Sequence, residues 1–371
     1  MKIYFWGLLY GEKLKKAITV KNPAAYAVQK FNHNLVDALR SQHSVKVVSP
    51  VCTNERIERT ENTDDLEYEY IKYFGKVGRI KLFIKSFICA FNVKDTIMIA
   101  DALNLSMVQG MMAARIHNRS KIVLTVTDVP EDVLEGKDTT YARVFLRNLD
   151  LADGFIFLTE QTNRDFNKSH KPYIIIEGIA QEEDTPPINT DKKICVYAGG
   201  LAEKYYIRKL VDSFNNVAKA NEELYIFGDG ECKQYVKEKA KTSGCIKYMG
   251  TMDNKEILKY EAAATLLINP RPNIGDYTKY SFPSKLIEYM NSGTPALVNR
   301  LDGVPEEYYE NLFLFSGYED SDFQRSIRTT LDLQGNERQC VGNEARRFIR
   351  MRNGMLATQN KINKLINDVY L

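Results

Sequence analysis

The length, composition and charge of the chain exclude several classes of protein. It has 371 residues, of which 44% are hydrophobic and 27% charged, so wholesale disorder and fibrous architecture are excluded and about two globular domains are expected. The formal net charge is only +3. Because no global field would draw the protein to nucleic acid, we predict no nucleic-acid partner.

Metal ligands, disulfides and membrane spans are not predicted either. The six cysteines and four histidines are scattered without CxxC or HxxxH spacing, which indicates reduced thiols and no metal site. No apolar run reaches the roughly 18 residues that a spanning helix needs. The apolar start of the chain ends by Glu12 without a small-residue cleavage site, so we expect a cytoplasmic protein.

Short β-branched runs alternate with helical patterns along the first half of the chain. Asn22 and Pro23 predict the start of one helix, because Asn is favoured at the N-cap and Pro at the first helical position. The alternation predicts a parallel sheet covered by helices on both faces. The predicted strands are Ile3–Gly7, Val45–Val48, Thr96–Ile99, Ile122–Val126, Gly154–Leu158 and Tyr173–Ile176.

A stretch of linker composition, residues 178–191, separates this half from a second one. We predict two Rossmann-like domains, residues 1–180 and 181–344, followed by one helix over about 345–371 that begins near Glu344. The predicted strands of the second domain are Ile194–Ala198, Leu224–Phe227, Ile246–Met249, Leu266–Ile268 and Ala296–Val298.

Loops suited to ligands follow successive strands of the second domain. Gly199 and Gly200 follow the first strand, Gly228 follows the second, Met249 ends the third and Arg271 follows the fourth. Glycines after strands are ordinary turns when taken singly. Their recurrence predicts a binding edge, because ligands of parallel sheets bind at the carboxyl ends of the strands.

The segment after residue 280 is the most informative. Pro283 fits the first position of a helix, so the N–H groups of Ser284 and Lys285 would point out of its N-terminus, a site suited to phosphate. Glu288 would lie about 6 Å further along the axis, where a carboxylate can accept from ribose hydroxyls. The alternative interpretation is an ordinary surface pair of Lys285 with Glu288.

Several motifs in this half resemble those of a known family. The segment SFPSKLIEYMNSGTP resembles the nucleotide-sugar motif of the GT-B glycosyltransferases of family 4, above all the branch that builds bacterial surface polysaccharides. The stretches YAGGL, FGDG and MGT appear in the family's order and spacing. The resemblance is specific over residues 194–310 and rests on architecture and two short segments over residues 1–180.

The resemblance implies a fold and a reaction. It implies two Rossmann-like domains that face each other across a cleft, an acceptor domain followed by a donor domain, and a final helix that crosses back to the first. It implies retaining transfer from a nucleotide-sugar, for which we predict a UDP-sugar, to a saccharide or lipid-linked acceptor, with no metal or other cofactor. The donor-binding residues that it implies are Gly199, Gly200, Gly228, Met249, Tyr280, Ser281, Phe282, Ser284 and Glu288.

The sequence departs from the family where charge matters most. Tyr280 stands where relatives carry the first of two glutamates, and Gly200 and Tyr205 stand where an arginine and a lysine normally neutralise the leaving diphosphate. Either the enzyme is inactive, or the positive charge has moved to Lys285 and Arg271.

We therefore predict Lys285, Arg271 and Asp128 as catalytic residues. Asp128 matches the family, whereas Thr127 stands where many relatives have a histidine. Two other functions stay open. A sugar-nucleotide epimerase of the same fold would need no acceptor, and a non-catalytic partner of another transferase would bind the donor without reaction.

Residues 72–94 contain six basic residues and no acidic one, interleaved with aromatic residues. One interpretation is a surface helix that buries its apolar stripe on the first domain. The other is contact with the anionic inner leaflet of a membrane, which would suit a lipid-linked acceptor. The apolar residues on one helical face are Ile80, Phe83, Ile84, Phe87, Ile88 and Phe91.

Overall fold

A computed structural model describes residues 1–17, 23–63, 66–182 and 184–370. The chain divides into two compact units. The first comprises Met1–Ile179, Lys279–Phe282 and Met355–Leu371, and the second comprises Ala180–Thr278 and Pro283–Gly354. Asn22, the predicted N-cap, lies outside the described residues.

The first unit is built on an eight-stranded sheet with the order β3-β4-β2-β1-β5-β6-β7-β8, in which every neighbouring pair is parallel except β3 with β4. Its strands are β1 (Lys2–Trp6), β2 (Ser44–Cys52), β3 (Thr60–Asn62), β4 (Glu67–Tyr73), β5 (Ile97–Asp101), β6 (Lys121–Val126), β7 (Gly154–Phe157) and β8 (Tyr173–Ile175). Its helices up to this point are α1 (Glu12–Ala17), α2 (Pro23–Arg40), α3 (Gly75–Phe91), α4 (Leu105–Asn118), α5 (Glu131–Leu134), α6 (Thr140–Leu151) and α7 (Glu160–Phe166).

Helices cover both faces of this sheet, and the burial of the central strands reflects this. All five residues of β5 are buried. Ile97 and Ile99 belong to the apolar cluster on one face, whereas Met98 and Ala100 belong to the cluster on the other. This distribution follows from the period of two in a strand, with successive side chains on opposite faces.

The predicted strands do not include β3 and β4. The sequence of β4, EYEYIKY, alternates charged and aromatic residues, and the tyrosines Tyr68 and Tyr70 are buried. The alternation is itself a strand signal, although the two glutamates interrupt the apolar run that marks the other strands.

The second unit has a six-stranded sheet, entirely parallel, with the order β11-β10-β9-β12-β13-β14. The predicted fold class, α/β with two parallel-sheet domains, is therefore confirmed. The strands are β9 (Lys193–Ala198), β10 (Glu222–Phe227), β11 (Ile246–Gly250), β12 (Leu266–Asn269), β13 (Ala296–Val298) and β14 (Phe313–Leu314). The helices are α8 (Ile207–Val217), α9 (Lys233–Thr242), α10 (Asn254–Ala263), α11 (Tyr277–Tyr280), α12 (Ser284–Ser292), α13 (Asp320–Asp332) and α14 (Gly335–Asn353). The last two residues of α11 are assigned to the first unit.

The single helix predicted over about 345–371 is wrong, because the structure has two. The first of them, α14, belongs to the second unit, and α15 (Met355–Tyr370) belongs to the first. They separate at Gly354, where a Cβ would lie only 2.2 Å from the carbonyl oxygen of Arg350. The second unit therefore extends ten residues beyond the predicted limit of 344.

Candidate functional site

The loops after the first three strands of the second unit form a continuous rim at the carboxyl edge of its sheet. The Gly199 N–H donates to the Phe227 carbonyl at 3.1 Å, and the Gly228 N–H donates to the Gly250 carbonyl at 2.8 Å. The Leu201 N–H donates to the carbonyl of the residue after Gly228, at 2.9 Å. Three predicted donor loops are thus joined by backbone hydrogen bonds.

The close approach of the first two loops requires a glycine at position 228. Its φ is +134°, and a Cβ there would lie 1.9 Å from the carbonyl oxygen of Gly199. A larger residue would push the two loops apart. Gly200, in contrast, is exposed, and a Cβ there would meet only the ring of Tyr205, at 3.6 Å. The backbone of Gly200 is therefore accessible to a ligand.

The helix predicted to carry the phosphate site is α12. Pro283 is its N-cap, so the helix begins at Ser284, one residue later than predicted. Ser284 is exposed at the start of the helix. The buried Tyr289 fixes the helix to the end of β9, because its hydroxyl accepts from the Ala198 N–H at 3.0 Å. The N-terminus of α12 is thus held at the rim.

Lys285 lies in a three-membered charge cluster. Its Nζ is 2.8 Å from Oε2 of Glu288 and 3.5 Å from Oε1 of Glu261, whose side chain is fully buried. Burial alone would lower the pKa of Lys285, but the two carboxylates outweigh it and raise that pKa well above its usual value. The pair of Lys285 with Glu288 is therefore more than a surface pair, because it also neutralises a buried carboxylate.

Glu288 has a further polar neighbour. The side-chain amide of Asn254, the first residue of α10, donates to Oε2 of Glu288 at 3.3 Å. The carboxylate is thus held from two sides, by Asn254 and Lys285, while its side chain keeps 14% of its surface exposed. A fixed, partly exposed carboxylate can accept hydrogen bonds from a ligand without first being ordered.

Two cations and two tyrosines form a second cluster beside the rim. The Lys204 Nζ lies 5.5 Å from the ring centroid of Tyr205 and 5.1 Å from that of Tyr277. The guanidinium carbon of Arg271 lies 5.7 Å and 5.1 Å from the same two centroids. Cation–π attraction therefore holds both positive groups at one place, and the ring of Tyr205 that they share lies beside Gly200.

The sequence analysis does not identify Lys204 as a site residue. It directly precedes Tyr205, the position where the family's lysine would be expected. Within the described part of the chain, no carboxylate is paired with Lys204. A one-residue shift in a cation along the chain is the signal that could have identified it.

Asp128 lies in the first unit, directly after β6, and is exposed. At the neighbouring strand end, Asp101 is buried and accepts from the Leu103 N–H at 3.0 Å and from the Asn104 side chain at 2.9 Å. Burial raises the pKa of Asp101 to about 6, and the charge of Asp128 adds to the shift. The carboxyl edge of this sheet therefore carries two interacting carboxyl groups, of which sequence reasoning found one.

This shift predicts a pH dependence of stability. Because the folded-state pKa of Asp101 is above the unfolded value, its contribution to stability is lost as pH rises from about 4 to about 6. Asp101→Asn cannot ionise, so its free energy of unfolding relative to wild type should improve by about 3 kcal/mol between pH 4 and pH 8. Urea unfolding at both pH values measures this difference, and a difference independent of pH would contradict it.

The predicted donor residues Tyr280, Ser281 and Phe282 do not group with the others. They belong to the first unit, whereas Ser284, Lys285 and Glu288 belong to the second.

Tyr280 has its own partners in the first unit. Its hydroxyl donates to Oδ2 of Asp165 at 2.8 Å, and its ring meets Phe166 edge-on with centroids 5.5 Å apart. A glutamate at position 280 would place a second negative charge at Asp165, which gives a physical reason for a tyrosine there.

The described residues contain neither a metal-binding cluster nor a membrane-spanning helix. No group of three or more His, Cys, Asp or Glu side chains in them is arranged to hold a metal ion. None of the helices in the described ranges combines the length and the hydropathy that crossing a membrane requires.

Comparison with known proteins gives a family match for one part of the chain and a fold for all of it. Residues 179–348 match the family described as "Glycosyl transferases group 1". No curated protein matches the chain by sequence.

Three solved structures resemble the whole chain. Sucrose-phosphate synthase from Thermosynechococcus elongatus has a TM-score of 0.73 at 14% identity, covering 100% of this chain and 99% of that one. HepE from Anabaena in complex with UDP has a TM-score of 0.70 at 15% identity, and the match covers 99% of this chain and 100% of HepE. A structure from E. coli described as trehalose-6-phosphate bound with UDP-2-fluoro glucose has a TM-score of 0.74 at 10% identity, and the match covers 98% of this chain and 99% of that one. The chain therefore has the GT-B glycosyltransferase fold, and its second unit carries the match to group 1 glycosyl transferases.

Proposed function

We propose that this protein is a retaining glycosyltransferase that moves a sugar from a UDP-sugar to a saccharide or lipid-linked saccharide in the synthesis of a surface polysaccharide. The observation that carries the proposal is the rim of the second unit, where glycine loops, a helix N-terminus and Glu288 meet within the region that matches group 1 glycosyl transferases. UDP as the nucleotide is supported by HepE and the E. coli structure, whose descriptions name UDP or a UDP-sugar. Retention and the polysaccharide role rest on the resemblance of the motifs.

Stabilising the departing diphosphate is the main chemical task of such a site, because negative charge grows there as the glycosidic bond breaks. We assign this task to Arg271 and Lys204, together with the N-terminus of α12 and the hydroxyl of Ser284. Both cations lie against the ring of Tyr205, which is the neighbour of Gly200. Their positions support the interpretation that the family's missing positive charge has moved along the chain.

Lys285 has a different role in this proposal from the direct phosphate contact first predicted. Two carboxylates neutralise its charge, so the cluster as a whole has no net positive charge with which to bind the diphosphate. We assign Lys285 to positioning Glu288, which would accept from the ribose hydroxyls of the donor. Asp128 is assigned to the reacting sugar or its acceptor, as a residue of the first unit.

A sugar-transfer assay tests this function. The protein is incubated with UDP-glucose and other UDP-sugars, with and without a panel of saccharide acceptors, and the release of UDP and the glycosylated product are measured. Transfer only in the presence of acceptor, with the anomeric configuration retained, supports the proposal. Conversion of the UDP-sugar without acceptor would indicate an epimerase, and binding without turnover would indicate a non-catalytic partner.

Activity should not depend on a divalent metal. The proposed cations are side chains and a helix N-terminus, so the transfer rate in EDTA is expected to equal the rate without it. Comparison of initial rates in EDTA, with added Mg²⁺ and with added Mn²⁺ measures this. Loss of activity in EDTA that either metal restores would show that the diphosphate is neutralised by a metal ion instead.

A further inference from the structure

Helix α3 of the first unit has an exposed apolar face. The exposed fractions of Val77, Ile80, Ile84, Ile88 and Phe91 are 79%, 62%, 49%, 53% and 37%. We call these five residues the apolar stripe. At about 100° per residue they lie within an arc of about 80° on the helix. Isolated exposed apolar residues are normal on a protein surface, whereas a continuous row of this length indicates an interaction site.

The opposite face of α3 already packs within the unit. The side chains buried there are those of Leu82, Ser86 and Ala90. Helix α4 approaches this side closely, because a Cβ on Gly110 would lie 2.5 Å from the carbonyl oxygen of Phe83. Of the apolar face predicted from the sequence, Phe87 packs on the buried cluster, whereas Ile80, Ile84 and Ile88 are exposed. The interpretation in which α3 buries that whole face against the first domain is therefore wrong. The helix packs through Leu82, Ser86 and Ala90 and exposes its isoleucines.

The charged residues of α3 itself have one sign. The sequence of α3 contains four basic residues and no acidic one. Lys81 and Lys85 directly border the stripe on the helical projection, and Lys81 is exposed. At the end of α4, His117 stacks on Phe91 at 4.0 Å, and the neighbouring Ile116 is 93% exposed.

We propose that α3 binds the surface of an anionic lipid bilayer, with the apolar stripe at the boundary of the acyl chains and the bordering lysines at the lipid phosphates. Aliphatic residues on one face with cations beside them are typical of helices that lie in the membrane interface. The 17 residues of α3 give it a length of about 25 Å. The absence of acidic residues from α3 makes its charge complementary to anionic headgroups. This binding is independent of the proposed sugar transfer.

Cosedimentation of the full chain with vesicles tests the proposal, without donor or acceptor. Wild-type protein should bind vesicles of equimolar phosphatidylglycerol and phosphatidylcholine, and bind pure phosphatidylcholine more weakly. Replacing two stripe residues, Ile84→Ser with Ile88→Ser, should lower the partition coefficient about tenfold or more. Lys81→Ala should lower it about fivefold, on the anionic vesicles only.

Ile274→Ser is the matched control. Ile274 has the same exposed fraction as Ile88, 53%, but belongs to the second unit, so its variant should bind vesicles like wild type. Because the stripe residues are exposed, the melting temperature of their variant should stay unchanged, which separates lost binding from misfolding. The proposal is overturned if wild type does not sediment with anionic vesicles or if the stripe variant binds equally well. It is also overturned if wild type self-associates without lipid and the stripe variant does not, because the stripe would then bind a second copy.

Discussion

Arg271→Ala is expected to lower kcat for sugar transfer about a hundred- to thousandfold, while the dissociation constant of the UDP-sugar changes far less. The loss of one preorganised group that stabilises developing charge costs about 2.7–4 kcal/mol of transition-state stabilisation. The full charge on the diphosphate exists only as the bond breaks, so the variant loses more in the transition state than in the bound donor. Steady-state rates and calorimetric titration with UDP-sugar measure the two quantities separately.

A matched arginine on α14 provides the control. The guanidinium carbon of Arg352, like that of Arg271, lies over a tyrosine ring, 5.2 Å from the centroid of Tyr308, and Arg352 is ion-paired to Glu307. Arg352→Ala should therefore lose a comparable cation–π contact but leave kcat unchanged. Wild-type turnover in Arg271→Ala would mean that other groups neutralise the diphosphate.

Variants of Tyr277 provide a second test of the proposal that Arg271 and Lys204 stabilise the diphosphate. Tyr277→Phe keeps the ring that faces Arg271 and Lys204, so kcat should be close to wild type, whereas Tyr277→Ala removes the ring and should lower it. Equal activity in both variants would show that the ring does not position the cations.

Sequence alone predicted those parts of the structure that depend on local periodicity. Five of the six strands of the second sheet, β9 to β13, and the pair of Lys285 with Glu288 are examples, because spacings of two and three residues decide them. The strand β4 carried the same local signal, but its glutamates interrupted the apolar run.

The remaining features of the site depend on contacts between distant residues. Tyr205 and Tyr277 are 72 residues apart in sequence, and no local pattern predicts that they hold the same two cations. Glu261 reaches Lys285 from another helix. Such pairings are set by how the helices and loops pack on the sheet, so composition and spacing do not determine them.

Glu261 gives Lys285 a large expected effect on stability. In Lys285→Ala, the fully buried carboxylate of Glu261 and the carboxylate of Glu288 would face each other without a cation. Removing one partner of a buried ion pair costs about 3–5 kcal/mol, so the free energy of unfolding should fall by that amount at pH 7. The folded-state pKa of Lys285 is raised, so the lysine's contribution is fully present below about pH 10 and is lost only as pH rises through the folded value.

Two further variants separate this explanation from a general loss of packing. Glu261→Gln in the Lys285→Ala background removes the charge of the buried carboxylate, so it should restore much of the lost free energy of unfolding. Lys259→Ala is the matched control, because Lys259 and Glu256 form a pair with the same i,i+3 spacing at 2.7 Å on the exposed side of α10, and exposed pairs contribute only about 0–1 kcal/mol. Urea unfolding of the three variants measures these differences. If Lys285→Ala is as stable as wild type, Lys285 does not neutralise the buried Glu261 and is free to contact the diphosphate directly.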